Sequence, residues 1–139
     1  MKSLKNERGG SLIEFVLITP FLFLLLFGII EFGVLLHDKA MIINASREGA
    51  RAGIVFSLPY VSETEIEQVV TNYCGTYLLS LGSGSTPPIL DINVDPTPPV
   101  PRGDPLTVTV NYPYQFLVFP NVLALISGDA NDSGINLVG

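Results

Sequence analysis

The chain has 139 residues, enough for one domain, and its 14% charged content lies well below the roughly 25% of an average soluble protein. The net charge of −6 is unevenly placed: Lys2, Lys5 and Arg8 precede the first apolar run, and acidic residues dominate from Asp38 onward. Nucleic acid is therefore a poor partner, because phosphate binding needs clustered Lys and Arg. One cysteine, Cys74, and one histidine, His37, allow no intrachain disulfide and no site with two imidazoles, which removes most zinc and triad chemistry.

Residues 15–30, FVLITPFLFLLLFGII, carry no charge, and with their flanks the apolar stretch approaches 25 residues. About 20 residues cross a hydrocarbon core at 1.5 Å rise each, so residues 10–36 read as a transmembrane helix. A signal peptide is the competing reading, but no A-x-A-like site follows the run. The basic amino terminus predicts that this end stays cytoplasmic and the acidic remainder is exported. Pro20 lies inside the span, where it either permits a kink or is simply tolerated, as proline is in membrane helices.

Glu14 is the anomaly of this segment, since a carboxylate costs roughly 2.5–3.5 kcal/mol at the centre of a membrane helix and less near an interface. It either snorkels to the headgroups or has a paired role. Its context is RGGSLIEF, residues 8–15: a glycine after a short basic leader, then four residues, then a glutamate ahead of a long apolar run. That arrangement resembles the processing site of type IV prepilins. The resemblance implies a leader of residues 1–9, cleavage between Gly9 and Gly10, and Glu14 as the fifth mature residue. It also implies that the new α-amino group of Gly10 pairs with Glu14 of a neighbouring subunit. Such a cation offsets the desolvation of a membrane-buried carboxylate.

From His37 to Ser57 the chain stays helix-compatible and reads as a helical stalk over residues 37–58, ended by Pro59. Ala45, Gly49 and Gly53 recur every four residues, a small-residue stripe that lets another helix approach. Arg47 and Arg51 form a second row with Glu48 between the two, either a solvated face or a partner contact. The run ITPFLFLLLFGIIEFG, residues 18–33, continued by HDKAMIINASREGARAGIV, residues 37–55, resembles the TadE-like family of minor pilins or pseudopilins. The REGAR signature, Arg47, Glu48, Gly49, Ala50 and Arg51, is the most specific part of that resemblance. A weaker likeness runs from Gly103 to Ile126.

Residues 59–139 read as a small exported domain. Ser62 and Glu65 form a capping box, and Ile66, Val69, Val70, Tyr73, Tyr77 and Leu81 recur at helical spacing, predicting an amphipathic helix of about 20 residues. Gly82 to Pro88 reads as a loop, followed by a strand in which Leu90, Ile92 and Val94 alternate with polar residues. Residues 95–105 hold five prolines and form an extended connection. A second strand starts at Leu106, and Pro113 within it predicts an edge position or a bend. The pairing of residues 128–139 is left open. The fold class is α+β: a long transmembrane helix, a helical stalk, and one amphipathic helix packed on a short antiparallel sheet.

Candidate chemistry is sparse. Asp129, Asn131 and Ser133 have the opening spacing of a calcium loop, but the bidentate glutamate would fall beyond Gly139, so a polar turn is the better reading. His37 beside Asp38 has no nucleophile at a defined spacing, and Cys74 reads as a buried small hydrophobe. No catalytic residue, metal or cofactor is expected. The resemblance implies a non-enzymatic pilus-assembly component, with a prepilin peptidase, other pilin or pseudopilin subunits, the inner-membrane assembly platform and the lipid bilayer as partners. An uncleaved, membrane-anchored periplasmic binding domain is the alternative, since the positive-inside rule alone explains the basic leader.

Overall fold

The computed structural model describes residues 7–55, 59–79, 90–101, 103–118 and 134–139. Within these residues the order is α1 (Glu7–Gly53), α2 (Glu63–Tyr77), β1 (Asp91–Asp95), β2 (Thr107–Gln115) and β3 (Gly134–Val138). The architecture is α+β, with a long apolar helix, a second helix and a three-stranded antiparallel sheet in the order β1-β2-β3.

At 1.5 Å per residue the 47 residues of α1 extend about 70 Å. Pro20 does not end the helix. The Thr19 hydroxyl donates to the Phe15 carbonyl at 2.6 Å, one turn back. Helix α1 has two unlike halves. From Leu12 to Ile30 its large apolar side chains are exposed, whereas Ile42 and Ala45 are fully buried in the core of the domain.

Helix α2 starts where the capping box predicts. Ser62 Oγ accepts from the Glu65 amide at 3.3 Å, and Glu65 Oε2 accepts from the Ser62 amide at 2.8 Å. The Ser62 amide, together with the Ser62 hydroxyl donating to the same Oε2 at 3.1 Å, holds the Glu65 carboxyl below its usual range. Ile66, Val70 and Cys74, spaced one turn apart, are buried against α1 and the sheet. The helix ends at Tyr77, short of the predicted Leu81. Leu78 has extended backbone angles (φ −72, ψ 138), and the Leu79 amide donates to Asp38 on α1 instead of continuing the helical ladder.

Strand β2 alternates strictly, so Val108, Val110, Tyr112 and Tyr114 face the helices, joined by Val94 of β1 and Leu137 of β3. Strand β2 is the central strand, yet Pro113 itself keeps an edge position on the side toward β1. Val110 exchanges both backbone bonds with Gly139, so the amides of residues 110, 112 and 114 point toward β3 and that of residue 113 points toward β1. Pairing with β1 stops at Asn111, so the donor that proline lacks has no ladder partner to lose. Residues 134–138, whose pairing the sequence left open, bond to β2 from Gln115↔Gly134 to Asn111↔Val138.

Gly49 is required by close approach. A Cβ built there would lie 2.6 Å from Val70 Cγ2 and 3.3 Å from Val108 Cγ1, whereas one on Gly75 meets nothing within 4 Å. Gly49→Ala is expected to lower stability by about 1–2 kcal/mol, overpacking outweighing the gain in helix propensity. Gly75→Ala is expected to raise it by up to about 1 kcal/mol. Thermal unfolding of the full chain in detergent micelles reads both.

Candidate functional site

Two groups of polar residues on α1 stand out against its apolar surface. Gly10 and Glu14, near the start of the helix, are both exposed, and a Cβ on Gly10 would touch nothing within 4 Å. Gly9 is half-buried, and the leader residues 1–6 lie outside the described residues. Glu14 therefore sits on a bare helix surface, accessible to a group from another molecule.

The second group begins at Glu31, which is 4% exposed. Its Oε1 accepts hydrogen bonds from the Leu117 amide and, at 3.1 Å, from the Val118 amide, while its backbone carbonyl accepts from the Tyr114 hydroxyl at 3.3 Å. The chain leaving β2 is thus tied to the helix. Tyr114 packs edge-on against Phe116, with ring centres 5.3 Å apart, and burial together with the nearby Glu31 pushes its hydroxyl up to about 12.

Two turns later His37 and Asp38 hold the end of α2. His37 Nε2 donates to the Tyr77 carbonyl at 3.2 Å, which fixes the tautomer because a carbonyl only accepts. Asp38 is fully buried, and its Oδ1 accepts from the Leu79 amide at 2.9 Å, while Oδ2 has no hydrogen-bond partner among the described residues. Burial raises the Asp38 carboxyl above its usual range, opposed by the Leu79 bond and the charge of His37. Cys74 is a buried free thiol, pushed up to about 11 by desolvation and then by Asp38. A thiol so raised is unreactive at neutral pH. Lys39 completes the row, donating from Nζ to the Val138 carbonyl at the end of β3.

The remaining predicted residues divide by face. Ala45 is buried in the core, Gly49 lies against Val70 of α2 and Val108 of β2, and a Cβ on Gly53 would approach Ile66 Cδ1 of α2 to 2.8 Å and collide with Leu106, the residue before β2. Within the REGAR segment Gly49 is buried and Ala50 half-buried, while Arg47, Glu48 and Arg51 are exposed. Pro20 is exposed on the apolar half, far from that contact. Asp129 to Ser133, the calcium-like stretch, fall outside the described residues. Sequence reasoning missed Glu31 and Asp38 as structural ties. The only signal was their sign, since an ionisable side chain on an apolar helix demands partners.

The fold is that of an α+β protein in which, among the described residues, one long apolar N-terminal helix with an exposed apolar half fits a single-pass membrane anchor. Residues 9–51 match the family model described as TadE-like protein, so this segment of the chain is similar to that family. The matched span contains Gly9, Gly10, Glu14 and the REGAR segment and ends before the likeness drawn from Gly103 to Ile126. No curated protein and no solved structure matches the chain.

Glu31→Ala is expected to cost about 2–3 kcal/mol, because it leaves the Leu117 and Val118 amides without their acceptor, and Glu31→Gln, which keeps an acceptor oxygen, is expected to recover much of it. Amide exchange at residues 117 and 118 together with unfolding measures both. Asp38 sets a pH dependence. Its carboxyl is raised in the folded state, so the native protein holds the proton more tightly and stability falls as pH climbs from the usual carboxylate range through the raised value. Asp38→Asn is expected to flatten that stretch of an unfolding-midpoint series against pH.

Proposed function

We propose that this chain is a minor pilin or pseudopilin, processed by a prepilin peptidase between Gly9 and Gly10 and acting in the assembly or capping of a tight-adherence pilus or related secretion fibre. The observation that carries the reading is Glu14, an exposed carboxylate at the head of an apolar helix, five residues after Gly9 within the family-matched span. Cleavage releases an α-amino group on Gly10. Within one helix that amine and Glu14 are about one turn apart, and the amine of a neighbouring subunit can also reach it. An amine that neutralises Glu14 removes the cost of leaving the carboxylate in lipid, so subunits associate at the stagger where the two groups meet.

In this reading the chain resides in the bacterial inner membrane with its amino terminus cytoplasmic and its domain exported, and the exposed half of α1 transfers from lipid into a bundle of pilin helices. The function is mechanical and associative, without catalytic residues or a cofactor. The assembly platform and the other pilin subunits are its partners, and the exposed row of Arg47, Glu48 and Arg51 faces away from the core where a partner can reach it.

Intact mass of the protein from native membranes, with and without the prepilin peptidase, tests processing. Loss of residues 1–9 only when the peptidase is present is the expected outcome; a full-length chain in both samples, with the peptidase active on another substrate, leaves the uncleaved anchored binding domain as the better account. Glu14→Leu is expected to insert normally but to disappear from sheared fibres. Its incorporation at wild-type level would remove the role assigned to the carboxylate.

A further inference from the structure

The domain is tied to α1 at Glu31, where the exposed apolar half of the helix ends. The exposed apolar side chains run from Leu12 to Ile30. Those 19 residues rise about 28 Å, close to the roughly 30 Å of a hydrocarbon core. Counting about 20 residues from Phe15, the first residue past Glu14, puts the far boundary at residue 34 instead. By either count the domain-side boundary falls between residues 31 and 34. Glu31 stands at that level, and it is the residue whose carboxylate takes the Leu117 and Val118 amides. The segment leaving β2 is therefore held at the edge of the hydrocarbon by hydrogen bonds to the span itself. Leu117, whose amide makes one of those bonds, is 45% exposed, and Phe32 and Leu36, one and five residues past Glu31 on the helix, are exposed as well.

We propose that this rim, Leu117 with Phe32 and Leu36, is embedded in the headgroup layer of the bilayer, so that the domain rests on the membrane instead of standing off it on a helical stalk. The inference rests on α1 spanning the membrane. Lipid is the occupant because the amide of Leu117 is tied to a fixed residue at the end of the span, so the bilayer that meets the exposed Phe32 next to that residue also reaches the exposed Leu117. The polar arrangement fits the position. At the edge of the hydrocarbon water is scarce, so a carboxylate and two backbone amides that satisfy one another are tolerated where each alone is costly. The far end of the domain is different: Ile54 follows Glu31 by 23 residues, about 34 Å along the helix, and is clear of the headgroups.

The chain contains no tryptophan, so single substitutions give unambiguous reporters. Full-length Leu22→Trp, Leu117→Trp and Ile54→Trp, all at exposed side chains, are reconstituted in phosphatidylcholine vesicles whose acyl chains carry bromine either near the glycerol or near the chain end. Protection of Cys74 from alkylation verifies the fold of each variant. The expected result is a blue-shifted Leu117→Trp emission quenched most by the shallow bromines, Leu22→Trp quenched most by the deep ones, and Ile54→Trp quenched by neither. Quenching of Leu22→Trp with Leu117→Trp as unquenched as Ile54→Trp overturns the docking while the span stands, and so does a blue shift at Leu117→Trp without quenching, which places protein on the rim. Absence of quenching at Leu22→Trp overturns the span and the docking together.

Discussion

An ionisable side chain removed from water must be given hydrogen bonds, and on α1 that demand falls on Glu31 and Asp38. Each is met by backbone amides from a distant part of the chain: Leu117 and Val118 for Glu31, Leu79 for Asp38. His37 and Lys39 add bonds to the carbonyls of Tyr77 and Val138. The chain ends that leave α2, β2 and β3 are all held by one nine-residue stretch of helix. Breaking a buried tie of this kind leaves an uncompensated group, which is why the arrangement constrains where the domain sits.

That constraint assigns two duties to a single helix. From Ile42 onward α1 is a core element, offering Ile42 and Ala45 and a bare Gly49 surface to α2 and β2. From Phe15 to Ile30, past the exposed Glu14, it offers almost only apolar side chains to its surroundings. An association of subunits through the first half need not disturb the second, because the packing of the domain uses the other end of the same rod. The TadE-like match covers both duties, beginning at Gly9 and ending within the packed half at Arg51.

The elements were legible where local chemistry decides them. The capping box of Ser62 and Glu65 started α2 where the motif placed it, and the alternation in residues 106–112 marked a half-buried strand. Two outcomes were set from outside their own segments. The length of α2 was set by Asp38, which takes the amide that would have continued the chain past Tyr77, and the place of β2 was set by the short reach of β1, which leaves Pro113 facing no ladder. Neither acceptor nor gap is encoded within the segment it controls.

From residues alone come the apolar span, the unexplained charge of Glu14 beside Gly9 and Gly10, the small-residue stripe and the α+β class, because periodicity, hydropathy and capping are properties of neighbours in sequence. Tertiary structure alone decided that the stripe receives α2 and β2 of the same chain, that β3 completes the sheet beside Pro113, and that Glu31 and Asp38 are fasteners. The physical reason is that a hydrogen bond across 86 residues depends on where the fold brings a backbone amide, and no local pattern announces that position.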